Sequence, residues 1–234
     1  MKIAHIMPVC TTEERKERVH ALLKSVVQDT TTIDVIDFAD GPIDLEYYED
    51  DLKAVTLMMN MKDKLALYDA VSIACFYDPG LRELREALNI PVMGVGFASM
   101  SLANLLGHKF SIIVGRNKHI PKMEDNSVSY GFASKIASWR SVELTVDQFK
   151  NDQGLTWERA LREGKKAVEE DRAEVIVLGC SALDVYAQRL QEELKVPVVN
   201  PIIAGIKLCE TLADLKNKVN LNLSKIYDYE GKTA

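Results

Sequence analysis

Short apolar stretches alternate with amphipathic stretches along the whole chain. Apolar residues that recur three and four positions apart, as at Val19, Leu22, Leu23 and Val26, are typical of helices that bury one face. The β-branched and aliphatic runs between such stretches predict strands at 2–7, 33–38, 70–74, 92–95, 110–114, 141–146, 174–178 and 198–199. Because strands alternate with helices, the pattern predicts parallel sheets with helices on both faces.

Residues that commonly begin helices stand between the predicted strands and the helical stretches. They are Thr11 with Glu14, Asp78 before Pro79, Ser181 with Asp184, and Asn200 before Pro201. In a parallel sheet all strands end at the same edge, and ligands of open parallel sheets bind outside that carboxyl edge. We therefore look for chemistry in the loops that follow the strands.

The two halves of the chain look like copies of one another. Cys180 follows Cys75 by 105 positions, and Pro197 follows Pro91 by 106, so one inserted residue aligns both landmarks. In each half the cysteine ends an apolar run, a helical stretch follows, and the proline opens the next strand. The repeat predicts two similar α/β domains, residues 1–98 and 99–202.

The chain has 234 residues, 29 Lys and Arg against 35 Asp and Glu, and a net charge of −6 at pH 7. The basic residues are scattered among acidic ones, which argues against a nucleic-acid partner, because phosphate binding needs clustered Lys and Arg. No apolar run approaches the roughly 18 residues of a membrane helix, and the first apolar segment is too short for a secretory signal. We therefore expect a cytoplasmic protein with no membrane partner.

Cys75 and Cys180 are the strongest candidates for chemistry. A single buried cysteine usually packs as a small hydrophobic residue, but these two stand at matching strand ends of the repeat. Each precedes an expected helix start, whose dipole would lower the pKa of the thiol. Cys10 also follows a strand but has no counterpart, and we interpret it as part of a pocket wall. Cys209 is interpreted as a core residue.

The sequence predicts neither a metal site nor a cofactor. It contains no Cys-x-x-Cys pair and no His-Glu-x-x-His motif, and its four histidines lack the spacing of metal ligands. His5 lies inside the first strand pattern and is interpreted as a core residue. The turn at Gly94 and Gly96 is similar to a dinucleotide fingerprint, but Ser99 replaces the third glycine and no acidic residue follows about 20 positions on.

Four segments carry a resemblance to a known family. They are 74–81 (ACFYDPGL), 91–96 (PVMGVG), 106–111 (LGHKFS) and 178–181 (LGCS). In these the chain resembles the cofactor-independent aspartate/glutamate/hydantoin racemases, and within them the hydantoin and allantoin racemase branch. The resemblance implies two flavodoxin-like domains related by a pseudo-two-fold axis, with the active site between them. It also implies that the C-terminal segment 203–234 packs on the first domain, and that the protein is a homo-oligomer that acts on a small molecule.

The resemblance implies a two-base mechanism in which Cys75 and Cys180 act as thiolate base and thiol acid. The pocket expected around them is lined by Pro8, Val9, Cys10, Phe76, Tyr77, Phe97, Ser181, Ala182 and Pro201. Hydantoin-type members usually have Asn-Pro-Asn after the first strand, a small residue at position 77 and Glu at position 97. This chain has a bulkier and less polar lining, which suits a substrate with an apolar side chain. The resemblance implies a 5-substituted hydantoin or an allantoin-like compound as the substrate.

Three alternatives stay open. An arylmalonate-type decarboxylase would use Cys180 alone and suits an apolar pocket, but it leaves Cys75 without a role. Aspartate and glutamate racemases carry Asn-Thr after the first cysteine and Thr after the second, where this chain has Phe76-Tyr77 and Ser181. A catalytically silent binding protein could keep the cleft and lose the chemistry.

Overall fold

The computed structural model describes residues 1–232, with only the backbone described at Lys150. In it the chain forms two compact units. Unit 1 contains Met1–Val95 and the C-terminal segment from Gly205, and unit 2 contains Gly96–Ala204. The chain therefore passes between the units twice. The last two residues of the predicted segment 203–234 lie outside the described residues.

Unit 1 is built around a parallel four-stranded sheet. Its elements are β1 (Lys2–Ile6), α1 (Glu13–Lys24), β2 (Thr32–Ile36), α2 (Tyr48–Asn60), α3 (Lys62–Leu65), β3 (Ala70–Ile73), α4 (Leu81–Ala87) and β4 (Val92–Gly94). The strand order is β2-β1-β3-β4. The helix α5 (Val95–Leu106) begins directly after β4 and continues into unit 2.

Unit 2 repeats this arrangement. Its elements are β5 (Phe110–Val114), α6 (Ile120–Ser129), β6 (Ile136–Ser141), α7 (Val146–Asn151), α8 (Gln153–Glu169), β7 (Val175–Leu178), α9 (Ala187–Leu194), β8 (Val198–Val199) and α10 (Pro201–Val219), which ends in unit 1. The strand order β6-β5-β7-β8 is again parallel and matches that of unit 1. The prediction of two similar parallel-sheet α/β domains is confirmed.

The position of one strand was predicted wrongly. The alternation around Val142 and Leu144 predicted a strand at 141–146, but β6 spans Ile136–Ser141. Val142 and Leu144 are nevertheless buried, and their N–H groups still donate to carbonyls of Val114 and Gly115 at 3.0 and 2.9 Å. The true strand is a half-exposed edge strand with polar residues such as Arg140, which hides its pattern. The other strands lie within two residues of their predicted bounds.

Two of the predicted helix starts are close to the observed ones. The cap of α1 is Thr12, one residue after the predicted Thr11, and its hydroxyl accepts from the N–H of Arg15 at 3.3 Å. Asn200 caps α10 as predicted, because its Oδ1 accepts from the N–H groups of Ile202 and Ile203 at 3.0 and 3.2 Å. Side-chain oxygens at this position satisfy amides that the first helical turn leaves without a partner.

The C-terminal segment contacts α4 in unit 1. The ammonium group of Lys225 donates to the carbonyl oxygens of Arg85 and Glu86, at 2.5 and 2.9 Å, and Asn222 donates to the carbonyl of Asn89 at 2.9 Å. A cation at these carbonyls complements the negative end of the α4 dipole. The segment after α10 is thus attached to the helix that follows Cys75.

Candidate functional site

Cys75 and Cys180 leave their sheets at equivalent positions. The N–H of Ala74 donates to the carbonyl of Ile6, and the N–H of Gly179 donates to the carbonyl of Ile113, both at 2.7 Å. These are the last bonds between β3 and β1 in unit 1 and between β7 and β5 in unit 2. The next residue in each unit is the cysteine, so each thiol is carried at the carboxyl edge of its own sheet.

Each cysteine begins a tight turn. The carbonyl of Cys75 accepts from the N–H of Asp78 at 2.9 Å, and the carbonyl of Cys180 accepts from the N–H of Leu183 at 3.0 Å. Both side chains are partly exposed, and neither is in a disulfide. Partial exposure at a strand end is compatible with contact to a small molecule, unlike the fully buried Cys209.

The backbone after the two cysteines differs in helical character. A 3-10 helix, Ser181–Tyr186, follows Cys180 at once, with Cys180 itself at the cap position, so the predicted cap at Ser181 is wrong. After Cys75, α4 begins only at Leu81, with Gly80 at the cap position.

The predicted cap at Asp78 is therefore wrong as well. Asp78 adopts a left-handed φ of 50°, whereas a residue that caps a helix is usually extended, and Gly80, with φ 67°, takes the cap position instead. Two left-handed residues thus lie between Cys75 and α4. A helix dipole directly after Cys75 consequently does not account for an acidic thiol there.

Tyr77 brings a buried hydroxyl close to Cys75. Burial is the main cause that raises the pKa of this phenol, followed by the charge of Cys75 and by those of Tyr48, Glu46 and Asp51. The hydroxyl therefore keeps its proton at neutral pH and can act as a hydrogen-bond donor. Tyr77 is 6% exposed and Phe76 3%, so little of either aromatic residue is in contact with solvent.

The loop after β1 lies at the same sheet edge as Cys75, because β1 and β3 are neighbours. Pro8 is buried, and Val9 and Cys10 are partly exposed. The carbonyl of Val9 accepts from Phe38 at 3.2 Å, and the N–H of Cys10 donates to Pro42 at 2.7 Å. The loop is thus fixed by backbone bonds to the segment that follows β2.

In unit 2, Phe97 belongs to an aromatic cluster with Tyr130 and Phe132. Its ring meets that of Tyr130 edge-on, with 5.1 Å between the ring centroids, and that of Phe132 at 6.1 Å. Sequence reasoning missed Tyr130 and Phe132, because they follow the polar end of α6 and are not part of a regular pattern of apolar residues. Ser181 and Ala182 are partly exposed beside Cys180, and Pro201 is buried at the start of α10.

Sequence reasoning also missed two buried aspartates. Asp78 is 6% exposed and Asp184 4%, and each closely follows its unit's cysteine. Their separation of 106 positions equals that of Pro91 and Pro197, so the repeat contained a signal that could have identified them. The aspartates were interpreted only as helix-capping residues.

His5, in the first strand of unit 1, is a core residue. His5 is fully buried, its Nδ1 lies 3.2 Å from the hydroxyl of Ser72, and burial lowers its pKa to about 4. Within residues 1–232, no group of three or more His, Cys, Asp and Glu side chains is arranged to hold a metal ion. No helix in that same range is long and apolar enough to cross a membrane.

Comparison with known proteins gives consistent matches over nearly the whole chain. The family model described as Asp/Glu/Hydantoin racemase matches residues 3–209. A hydantoin racemase from Pseudomonas sp. (strain NS671) is 35% identical over 234 residues, which cover 99% of this chain and 93% of that protein.

Two solved structures are similar throughout. An allantoin racemase from Pseudomonas fluorescens superposes with a TM-score of 0.89 at 26% identity, covering 100% of this chain and 98% of the other. An allantoin racemase from Klebsiella pneumoniae gives a TM-score of 0.90 at 28% identity, with 100% and 94% covered. Both alignments cover the residues of both units.

Proposed function

Because the chain belongs to the Asp/Glu/hydantoin racemase family, and is thus an isomerase of the racemase class, we propose that it inverts C5 of a 5-substituted hydantoin or an allantoin-like compound. Two observations support this substrate class. The hydantoin and allantoin racemases compared above match nearly the whole chain, and the residues expected to line the pocket are mostly apolar.

The proposed chemistry is proton transfer between two thiols. Racemisation removes the proton from one face of a carbon and returns a proton to the other face. For one enantiomer Cys75 acts as the thiolate base and Cys180 as the thiol acid, and for the other enantiomer the roles exchange. The C5–H bond breaks, its electron pair enters the ring enolate, and a new C–H bond forms from the opposite thiol.

The observation that carries the proposal is the equivalence of the two cysteines. The bonds from Ala74 to Ile6 and from Gly179 to Ile113 have the same length and directly precede the two thiols. Packing alone gives no reason for a thiol at the same strand end of both units. A reaction that needs one acid and one base of equal kind does give such a reason.

The enolate oxygen needs hydrogen-bond donors in the transition state. We assign this role to the backbone N–H groups of Phe76, Tyr77, Ser181 and Ala182, which lie in the two cysteine-bearing turns. The Tyr77 hydroxyl, which keeps its proton through burial, is a further donor. In a hydantoin the enolate is delocalised over the ring, so its C5 proton is easier to remove than that of an amino acid.

The shape of the pocket is proposed to select the substituent at C5. Pro8, Val9, Cys10, Phe76, Tyr77, Phe97 and Pro201 would present an apolar wall to it. An apolar or aromatic substituent gains free energy from burial of its surface there, whereas the ureido group of allantoin would need polar partners. We therefore expect hydantoins with apolar 5-substituents to react faster than allantoin, and both to react faster than aspartate or glutamate.

The oligomeric state and the cofactor requirement of the active protein can also be tested. We expect a cytoplasmic homo-oligomer that needs neither a metal nor an organic cofactor. Light scattering on the purified protein will give its mass in solution relative to the 26.2 kDa chain. Activity is expected to persist after dialysis against a chelator, since thiols alone carry the protons.

Proton NMR in D2O tests the function directly. Single enantiomers of 5-substituted hydantoins, allantoin, aspartate and glutamate are incubated with the wild-type protein, Cys75→Ala and Cys180→Ala. We expect exchange of the C5 proton with inversion of a hydantoin, and inversion lost by at least about a thousandfold in either variant. Cys209→Ala is the matched control, because Cys209 is fully buried.

Two outcomes would contradict the proposal. Inversion that survives loss of either thiol would exclude the two-thiol mechanism. An absence of exchange across the panel would exclude racemisation of these substrates, and carbon dioxide release from an arylmalonate would then identify a decarboxylase that uses Cys180. Binding without either reaction would identify a silent binding protein.

A further inference from the structure

In unit 1, the turn that carries Cys75 is braced by the last residue of the neighbouring strand β4. A Cβ added to Gly94 would overlap with the Cγ and Oδ1 of Asp78 and lie 2.8 Å from its Cβ. The carboxyl group of Asp78 therefore packs directly on the Gly94 backbone. The N–H of Asp78 also donates to the carbonyl of Cys75. The contact between Asp78 and Gly94, which we call the brace of unit 1, therefore links Gly94 to the cysteine.

The conformation of Asp78 indicates that this arrangement is imposed by its surroundings. Its φ of 50° is left-handed, which costs a residue with a side chain roughly 1–2 kcal/mol. The side chain is also 6% exposed, so a carboxyl group is held largely away from water. Strained and buried polar residues of this kind cluster at functional sites.

Unit 2 has an equivalent brace with different chemistry. Asp184 lies 106 positions after Asp78, and Asn200 lies 106 positions after Gly94. The side-chain amide of Asn200 donates to the carbonyl of Asp184 at 3.2 Å, within the 3-10 helix that follows Cys180. The other end of the Asn200 side chain caps α10. The turn that carries Cys180 is thus also tied to the last residue before a helix.

We propose that Gly94 and Asn200 are matching positioning residues, which set the place of Cys75 and of Cys180 through Asp78 and Asp184 respectively. The inference rests on the proposed function, in which the two thiols take protons from opposite faces. Because each brace acts within one unit, weakening one of them displaces one thiol. The two enantiomers of the substrate are then affected unequally.

The substitutions that test this change the brace and leave the cysteine-bearing turns intact. Gly94→Ala adds the overlapping methyl group in unit 1. Asn200→Asp keeps the oxygen that caps α10 but removes the amide that donates to Asp184. The loss of C5–H signal in D2O, measured for each pure enantiomer, reports proton removal by one thiol at a time. The Cys75→Ala and Cys180→Ala variants identify which enantiomer each thiol serves.

We expect Gly94→Ala to slow proton removal about tenfold for the enantiomer served by Cys75 and less than about twofold for the other. Asn200→Asp is expected to give the opposite preference. Asp78→Gly combined with Gly94→Ala removes the overlap and tolerates a positive φ, so unit 1 should regain its folding stability in the double variant. Asp171→Asn, at the edge of the sheet of unit 2, controls for stability loss alone, and we expect no enantiomer preference from it.

A readout without substrate separates this inference from the proposed function. Alkylation by iodoacetamide, followed by peptide mass spectrometry, gives the reaction rate of each thiol in the folded protein. Gly94→Ala should change the rate at Cys75 at least about threefold with Cys180 unaffected, and Asn200→Asp should do the reverse. Equal changes at both thiols and for both enantiomers, or no change at either, would overturn the positioning role even where the wild-type protein is a racemase.

Discussion

The carboxylate of Glu210 accepts a hydrogen bond of 2.6 Å from the hydroxyl of Thr31, a residue 179 positions earlier in the chain. The same Oε1 accepts from the N–H of Gln28 at 2.9 Å, and Oε2 pairs with Lys207 at 2.5 Å. Burial alone would raise the pKa of Glu210, but the bonds from Lys207, Thr31 and Gln28 outweigh it and hold the pKa below its usual value. The last helix is thereby fixed to the loop before β2.

Substitution of Glu210 should destabilise unit 1. Glu210→Ala leaves the buried hydroxyl of Thr31 without this acceptor and also removes the bonds from Gln28 and Lys207, so we expect it to lower the free energy of unfolding by about 2–4 kcal/mol. Glu210→Gln keeps one acceptor and should cost about 1–2 kcal/mol. Urea unfolding at pH 7 measures both. The exposed Glu193→Gln is the control and should stay within about 0.5 kcal/mol of the wild type.

His5 should make the stability fall between pH 6.5 and pH 4. Its pKa is about 4 in the folded chain, whereas a histidine in the unfolded chain has its ordinary pKa of 6.5, so the unfolded state binds more protons in this window. Stability is therefore complete above pH 6.5 and is lost as the pH falls, by about 2 kcal/mol at pH 5.

Unfolding by urea at pH 7, 6, 5 and 4.5 measures this loss. His5→Gln removes the titrating group, so the decline from pH 7 to pH 5 should be smaller by about 2 kcal/mol than in the wild type. The exposed His20→Gln should leave the decline unchanged. A wild-type decline that His5→Gln does not reduce would rule out this histidine as its source.

The edge strand β6 depends on a bidentate ion pair. Both Nε and Nη2 of Arg140 donate to the carboxylate of Asp171 at 2.7 Å, which lowers the pKa of Asp171. Arg140→Lys loses the paired geometry and should cost about 1–2 kcal/mol of unfolding free energy. Glu170→Gln, which removes an exposed partner of the same arginine, should cost less than about 0.5 kcal/mol.

Cys209 should resist alkylation until the protein unfolds. The thiol is fully buried, and burial, with the charge of Glu210, raises its pKa. The thiolate is the reactive form, so both access and ionisation disfavour modification. Peptide mass spectrometry after iodoacetamide treatment should find Cys10, Cys75 and Cys180 labelled in the folded protein and Cys209 labelled only in urea. Rapid labelling of Cys209 without denaturant would contradict its place in the core.

Most strands of the two sheets could be predicted from the sequence, because parallel strands are buried on both faces. Runs such as 70–74 and 110–114 are therefore apolar apart from one serine each, and they are easy to recognise. The strand β6 was misplaced because it lies at an edge, where Ser138 and Arg140 pair with Asp171 instead of joining an apolar run. A salt bridge of this kind depends on residues more than 30 positions apart, which no local pattern reports.

The candidate site could be predicted only in part from the sequence, for a similar reason. The matching positions of Cys75 and Cys180 could be read from spacing, but the backbone that follows them could not. Asp78 before Pro79 satisfied a rule for helix starts, while its left-handed φ and its packing on Gly94 depend on a neighbouring strand. The contact of Asn200 with Asp184 is equally tertiary. The role of both cysteines in catalysis stays a prediction.

The discontinuous course of unit 1 has a consequence for biosynthesis. The ribosome completes the whole of unit 2 before it makes Gly205 and the residues after it. Gly205 packs close to Val95 and to the hydroxyl of Ser72, and Glu210 reaches Thr31. The sheet face that carries His5 and Ser72 thus lacks this cover until unit 2 has been made, and the first 95 residues cannot complete the core of unit 1 before that point.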